Sequence, residues 1–505
     1  MTLKKTSALC LFFILLLTGC KPPFDEIDTS TNALNPEFAV PLLNTTMEVG
    51  DFISGLQGNG SLIVNNDGSY NLNYEGVMLT NPPLRLFETL PESPATPITA
   101  NNMSVTFLTP NGLKISNISF KQGFIKWKMA SVVDAATVTL TIPELVNEQG
   151  ISFVKTFNIS KNSSVDSVIL RGLFLKPLNG KMQFNTVIKD ALGNKANLKE
   201  GSFSISKYEP QVVQGVLIAR EVVIPKSTIQ FDFFKKWKLQ GTVQFQNPKV
   251  TTTFNNSYGL PTRVFMDIFE VETAEGKTVA LKSPLTKLPN GANIALKPTI
   301  LALNEIGKIK KTVYEFNATN SNINELFNAS PMAFNFSSRA VVGDSTVQGF
   351  FTDTSNLSMK MDISVPITGT AKGFLTENTE GVDFSSYDKV TDVELKVITN
   401  NTLPFDINLQ CYFLDKNEGI IDSLSQKPTQ ILRGAAVNTN GSIARPSEET
   451  IFVKIEAERF KRLLLAKKMR IQYLVSTSSN GTIPVKILSN QGVALRIGLK
   501  GKIKY

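Results

Sequence analysis

Apolar and polar residues alternate along most of this chain, with the period of two that is typical of β-strands that bury one face. Residues 138–142 and 359–363 are clear examples. Asparagine, glycine and proline separate these runs along the whole length, as they do in proteins built from many short strands. The pattern predicts an all-β fold made of two to three tandem β-sandwich-like modules.

One hairpin is predicted in detail. Residues 62–64 and 70–74 alternate in polarity and flank the sequence Asn-Asn-Asp-Gly at 65–68. An Asp-Gly step suits a tight turn that needs a positive φ. A calcium loop would need further spaced acids and a terminal glutamate, which this segment lacks. We therefore expect a turn here and no metal site.

An internal repeat is visible in the second half of the chain. Leu260-Pro261 recurs 143 residues later as Leu403-Pro404, and Glu275-Gly276 recurs at the same separation as Glu418-Gly419. The apolar positions between and after them also match: Val264, Met266 and Ile268 with Ile407, Leu409 and Cys411, and Leu281 with Leu424. This predicts two copies of one unit. Each copy has a strand that starts at proline, a Glu-Gly hairpin turn and matched residues facing the core.

The same two copies contain the helical patterns of the body. Asn322 with Glu325 resembles a capping box before an apolar stripe, and Pro331 ends that stripe. A second stripe follows Glu456 and Glu458 and precedes two lysines, as the helix dipole favours. The stripe residues are Ile323, Leu326 and Phe327, then Phe460, Leu463 and Leu464. We predict one short helix in each copy, near residues 322–330 and 456–467.

The composition narrows the chemistry that is open to the protein. The 505 residues include no histidine and three cysteines. This excludes Ser-His-Asp and Cys-His catalysis and most zinc, copper and non-haem iron sites. No acidic pair stands in a context that indicates a glycosidase or a phosphotransferase. The formal charge of +9 is spread along the chain, without a basic run. We expect no enzyme, no cofactor and no nucleic-acid partner.

The first twenty residues indicate export. Lys4 and Lys5 precede an apolar run at 9–17, which is too short to span a bilayer. The run ends in Leu17-Thr18-Gly19-Cys20, which resembles the lipobox of bacterial lipoproteins. The resemblance implies cleavage before Cys20 and acylation of its thiol, and two acyl chains suffice for stable attachment to a membrane. The alternative is an ordinary secretory signal with a chance cysteine.

These features divide the chain into expected segments. Cys10 leaves with the signal and Cys20 is acylated, so Cys411 has no partner for a disulfide, and its alternation predicts burial. Residues 81–103 contain five prolines and predict a long loop or insertion. The predicted segments are 1–19 signal peptide, 20–35 tether, 36–207 module 1, 208–363 module 2 and 364–505 module 3.

The densest aromatic and basic cluster is a candidate interaction patch. One interpretation is a surface that meets a membrane or a partner, with aromatic rings buried and lysines reaching out. The other, which the alternation favours, is an edge strand with phenylalanines in the core. The cluster comprises Phe231, Phe233, Phe234, Lys235, Lys236 and Trp237.

The anchor, the Asn-rich β-modules and the missing histidine together resemble an outer-membrane lipoprotein of the Bacteroidota. Surface lipoproteins of that phylum often carry a basic residue and then acids after the cysteine. Here Lys21 is separated from Asp25 and Glu26 by two prolines and Phe24, so the surface and the periplasmic face both stay open. Three triplets also resemble an O-glycosylation motif of the phylum; they begin at Asp166, Asp344 and Asp422.

The resulting expectation is a non-enzymatic, lipid-anchored cell-envelope protein. Its role would be structural or in interaction, as a subunit of an outer-membrane complex or as an adhesion or scaffold protein. The alternative is a lipoprotein that binds a glycan or an apolar ligand. With only Trp127 and Trp237 in the chain, aromatic platforms for sugars are scarce.

Overall fold

A computed structural model describes residues 37–49, 60–79, 93–106, 113–231, 238–385, 389–425 and 427–503. In these residues the chain forms 32 β-strands, two short α-helices and a 3-10 turn at Leu303–Glu305. The prediction of an all-β, sandwich-like fold is confirmed.

The elements follow one another along the chain in three stretches. The first contains β1 Glu37–Glu48, β2 Ser61–Val64, β3 Tyr70–Leu79, β4 Ser93–Pro97, β5 Asn102–Thr106, β6 Lys114–Ser131, β7 Ala136–Val146, β8 Ser152–Ile159, β9 Ser164–Ile169, β10 Phe174–Leu175, β11 Lys181–Asp190 and β12 Leu198–Val216. The second contains β13 Arg220–Gln230, β14 Lys238–Phe245, β15 Lys249–Asn256, β16 Thr262–Thr273, β17 Thr278–Ala280, β18 Lys310–Phe316, α1 Ile323–Asn328, β19 Pro331–Val342, β20 Gln348–Thr352 and β21 Leu357–Pro366. The third contains β22 Thr368–Gly381, β23 Val390–Asn401, β24 Phe405–Leu414, β25 Ile420–Ser423, β26 Thr429–Leu432, β27 Ala436–Val437, β28 Ile443–Arg445, β29 Ser447–Ile455, α2 Ala457–Leu463, β30 Lys468–Thr477, β31 Val485–Lys486 and β32 Gly492–Ile503.

The N-terminal unit is a ten-stranded sheet. Its main path is β20-β12-β6-β10-β7-β11-β5, and β4, β8 and β9 pair with β12, β7 and β6. Trp127 is buried in this unit, with its ring centre 6.3 Å from that of Phe153 and 5.6 Å from that of Phe157. Strand β20, which lies between β19 and β21 in the chain, pairs with β12 at the end of this path.

The middle and C-terminal units share one topology. The middle unit has the sheets β18-β15-β21-β3-β2 and β13-β19-β16-β17. The C-terminal unit has β29-β23-β32-β1 and β14-β22-β30-β24-β25. Strands β15, β16, β19 and β21 therefore hold the places of β23, β24, β30 and β32. The order of the strands confirms the repeated unit, and each copy carries one short helix as predicted.

Strand pairing does not follow the linear order of the chain. Glu37 of β1 lies opposite Lys502 of β32, so the first described strand belongs to the C-terminal unit. Likewise β3 pairs with β21, and β14 pairs with β22. The predicted boundaries near 208 and 364 fall inside β12 and β21, so each would cut through a strand. Alternation predicts that a segment is a strand but not which strand it pairs with.

Equivalent hydrogen bonds support the repeat, with a shift of one residue. The N–H of Leu281 donates to the carbonyl of Phe269, and that of Leu424 donates to the carbonyl of Cys411, both at 2.7 Å. A β-bulge at Asp267 inserts one residue into β16, whereas β24 pairs with β30 without interruption. Beyond the bulge Phe269 is therefore buried and the predicted core residue Ile268 is only half-buried.

The bulge also shifts the two Glu-Gly turns. In the first turn the N–H of Gly276 donates to the carbonyl of Thr273, and Gly276 has a φ of 74°. In the second turn the N–H of Glu418 donates to Asp415, and Glu418 has a φ of 68°. Both sequences form hairpin turns as predicted, but Glu418 holds the position of Gly276.

Each helix packs in the predicted place, but its attachment differs from the prediction. The side chain of Asn322 makes no cap to the backbone of α1. Its Oδ1 instead accepts the N–H of Lys282 at 2.7 Å, and its Nδ2 donates to Glu325 Oε2 at 2.9 Å. In α2, Arg459 and Arg462 contact Asp422 of β25 at 3.1 and 2.7 Å. Asp422 is nearly buried, which by itself raises its pKa, but these contacts hold the pKa below its usual value.

The predicted hairpin at the start of the middle unit is confirmed and contacts the C-terminal unit. Strands β2 and β3 pair, and Gly68 has a φ of 80°. Asp67 Oδ2 accepts from Lys486 Nζ at 2.6 Å, and the carbonyl of Gly68 accepts the N–H of Ser489 at 2.8 Å. The turn therefore joins two units.

Part of the proline-rich segment is a strand. Residues 81–92 lie outside the described residues, but β4 pairs with β12, Pro97 opposite Ser202. The predicted long loop is thus corrected for residues 93–97. Pro97 is tolerated because the N–H of the next residue, Ile98, donates to the carbonyl of Gly201, so the nitrogen of Pro97 faces away from β12.

Cys411 is fully buried in β24, as its alternation predicts. Burial raises the pKa of its thiol to about 12. A chain that starts at residue 21 contains no other cysteine, so Ellman's reagent reports on this thiol alone. We expect native protein at pH 8 to react at least about a thousandfold more slowly than a free thiol, because the thiolate is scarce and shielded. Protein unfolded in guanidinium is the control and should react at once. Equal rates in both states would contradict the burial of Cys411.

Candidate functional site

The predicted interaction patch is only partly described. Phe231 is 1% exposed, with its ring centre 4.7 Å from that of Tyr74 and 5.8 Å from that of Phe327. It therefore belongs to the core of the middle unit and not to an exposed patch. Residues 232–237 and Cys20 lie outside the described residues, so the lipidation site and the rest of the patch stay predictions.

The three Asp-Ser triplets differ in accessibility. Ser345 is exposed in the connection between β19 and β20. Ser167 is half-buried in β9. Ser423 is half-buried, and its hydroxyl donates to the carbonyl of Ser425 at 2.8 Å. Modification at these positions stays a prediction.

A cleft of about 400 Å³ lies where the middle and C-terminal units meet. One wall is the end of β14, which belongs to the C-terminal unit. Gln244 and Gln246 are exposed on the same side of the strand, while Phe245 between them is buried. The alternation of a strand directs both carboxamides into the cleft.

The opposite wall is helix α1 of the middle unit. Asn324 and Asn328 are four residues apart, so they lie on one face of the helix, and both are exposed. The N–H of Phe245 donates to Asn328 Oδ1 at 3.1 Å and ties the two walls together. The buried face of α1, which includes Ile323 and Leu326, packs on the opposite side.

Four further residues complete the lining of the cleft. The remaining lining residues are Asn247, Gly369, Thr370 and Pro484. A Cβ at Gly369 would lie 1.9 Å from the carbonyl oxygen of Gln244, so only glycine lets β22 approach β14 this closely. None of the nine lining residues is charged, and the carboxamides of Gln244, Gln246 and Asn324 have no hydrogen-bond partner among the described residues. The cleft can therefore both donate and accept hydrogen bonds without ionic contacts.

This cleft is not predicted from the sequence. Its local signals, Gln-x-Gln in a strand and Asn-x-x-x-Asn in a helix, are ordinary exposed polar positions. They become a site only because β14 pairs with β22 and thereby lies against α1.

Neither a metal site nor a membrane-spanning helix is found among the described residues. They contain no group of three His, Cys, Asp or Glu residues that could hold a metal ion. They also contain no helix of sufficient length and apolarity to cross a membrane.

Comparisons with known proteins give weak likenesses. No protein-family model and no curated protein matches the chain. A crystal structure of a putative secreted protein from Parabacteroides distasonis ATCC 8503 matches with 11% identity and a TM-score of 0.30, over 92% of this chain and 99% of that one. The VP2 subviral particle of infectious bursal disease virus matches with 6% identity and a TM-score of 0.16, over 79% and 74%. Both TM-scores are too low to support an argument, and the chain is assigned to no family.

Proposed function

We propose that this protein is a non-enzymatic, lipid-anchored protein of the outer membrane that holds its N-terminal unit away from the bilayer, as a scaffold or interaction subunit. The observation that carries the proposal is the pairing of β1 with β32, because it determines from which end of the molecule the anchor segment leaves. Export and acylation at Cys20 rest on the lipobox sequence.

The anchor segment leaves at one end of the C-terminal unit. Glu37 lies opposite Lys502, which lies opposite Asp392 of β23. The next residue of β23, Val393, lies opposite Ile455. Ile455 is the last residue of β29 and precedes α2 in the chain. The sixteen residues between Cys20 and Glu37 span at most about 55 Å. Along the chain, this end is therefore the part of the described molecule that is nearest to Cys20.

The N-terminal unit lies beyond the other end. At the end of the C-terminal unit opposite Glu37, the N–H of Ile487 donates to Ile367, which follows the last residue of β21. The first residue of β21, Leu357, lies at the far end of the middle unit, next to β20. Since β20 pairs with β12, the ten-stranded sheet is separated from the anchor by two units. Strands of 10–12 residues make each unit about 35 Å long.

The absence of catalytic residue types supports a non-enzymatic role. With no histidine in the sequence and Cys411 buried, the Ser-His and Cys-His pairs of nucleophile and base are missing. A protein partner of the N-terminal unit in the outer membrane remains part of the proposal. Whether the molecule faces the surface or the periplasm stays open.

The anchor is tested by Cys20→Ala. We expect the variant to incorporate no labelled palmitate, to retain its signal peptide and to be lost from the outer-membrane fraction, because the thiol is the acceptor of the lipid. Cys10→Ala is the matched control, since Cys10 lies in the signal, and it should be labelled like the wild type. Palmitate labelling that persists in Cys20→Ala would refute the lipid anchor.

A further inference from the structure

We propose that the cleft between β14 and α1 is a binding site for a short neutral saccharide. This inference does not depend on the lipid anchor or on the role of the N-terminal unit. It rests on the carboxamide lining of the cleft, on its lack of charge and on its place between two units.

The chemistry of the lining selects hydroxyl groups. Gln244, Gln246 and Asn324 each present a carbonyl oxygen and an NH₂ group, and a sugar hydroxyl likewise donates and accepts. An anionic or cationic ligand would lose water without gaining an opposite charge. An apolar ligand would cover unpaired carboxamides, which costs free energy for each group left unsatisfied. A neutral polyhydroxylated ligand satisfies the lining without either cost.

The repeated unit does not require carboxamides on the exposed face of its helix. In the repeat, Lys461 and Leu465 stand where α1 has Asn324 and Asn328, and α2 nevertheless packs through its own buried face. The exposed amides of α1 are therefore a property of this cleft and not of the repeated unit. The carboxamides that face them from β14, Gln244 and Gln246, lie about eighty residues earlier in the chain.

The size and position of the cleft suit a disaccharide that touches both units. Its volume of about 400 Å³ lies in the range of ligand pockets. Gln244 and Gln246 belong to the C-terminal unit, and Asn324 belongs to the middle unit. A ligand that bonds to both walls would stabilise their contact.

The experiment is saturation-transfer-difference NMR on the mature chain without its lipid, residues 21–505. The probes are maltose, cellobiose and N,N′-diacetylchitobiose. Digalacturonate, acetyl-trialanine amide and the apolar dye N-phenyl-1-naphthylamine represent acidic, peptide and apolar ligands. The variant is Gln246→Ala with Asn324→Ala, two exposed positions whose loss leaves the core intact. The matched control is Gln149→Ala, an exposed carboxamide of the N-terminal unit.

We expect at least one neutral disaccharide to bind with a dissociation constant of about 1 mM or tighter. Binding should weaken at least about tenfold in the double variant and stay unchanged in Gln149→Ala. The proposal is overturned if no neutral disaccharide binds, or if the double variant binds as well as the wild type. It is also overturned if the acidic, peptide or apolar probe binds in the same cleft with equal affinity.

Discussion

Replacing Asn401 with alanine is expected to lower the free energy of unfolding of the C-terminal unit by about 3 kcal/mol. Asn401 is fully buried at the end of β23. Its Nδ2 donates to the carbonyls of Leu403 and Arg433 at 3.1 and 2.7 Å, and its Oδ1 accepts the N–H of Leu403 at 2.7 Å. Alanine leaves these backbone groups without partners, and each unsatisfied buried group costs about 1–3 kcal/mol. Urea unfolding followed by circular dichroism measures the change.

The neighbouring residue provides the control. Asn400 is exposed, and its Nδ2 donates to Glu448 at 2.9 Å on the surface, so Asn400→Ala should change stability by less than about 0.5 kcal/mol. Asn256 makes the equivalent contacts in the middle unit, to Tyr258 and Thr299, so its replacement should cost about as much as that of Asn401. Equal stabilities of Asn400→Ala and Asn401→Ala would show that the buried amide is not needed.

Removing β1 is expected to expose a strand more than four hundred residues away. In a chain that lacks residues 21–48, β32 loses the strand that pairs along one of its sides and keeps β23 on the other. It therefore becomes an edge strand. We expect the amides of β32 that face β1 to exchange hydrogen at least about a hundredfold faster, measured by mass spectrometry. Peptides from β6 and β7 of the N-terminal unit should exchange as before, since no named pairing joins them to β1.

A shorter deletion separates the strand from the tether. A chain that lacks only residues 21–36 keeps β1 and should protect β32 like the full mature chain. If β32 stays equally protected when β1 is absent, the C-terminal unit does not include the first strand, and the direction in which the tether leaves would have to be reconsidered.

The repeat was visible in the sequence, but its buried asparagines were not. The sequences Asn256-Ser-Tyr-Gly-Leu-Pro and Asn401-Thr-Leu-Pro differ by two residues, so an ungapped match that starts from Leu-Pro places Asn256 out of register with Asn401. The same limit applies to Ile268. Alternation assigns it to the core, and only the bulge at Asp267 shows that Phe269 takes that place. An insertion of one residue reverses the face that the following residues occupy, and an insertion of two residues puts an ungapped match out of register.

The sequence by itself determined the strands, the hairpin at 65–68, the two helices and the burial of Cys411, because each depends on a local period of polarity or on turn chemistry. Tertiary structure alone decided that β1 pairs with β32, that β3 pairs with β21 and β14 with β22, and that five carboxamide residues line one cleft. The physical reason is that a strand exposes the same backbone N–H and C=O groups whatever its side chains. Its partner is therefore selected by the packing of whole faces and not by any short stretch of residues.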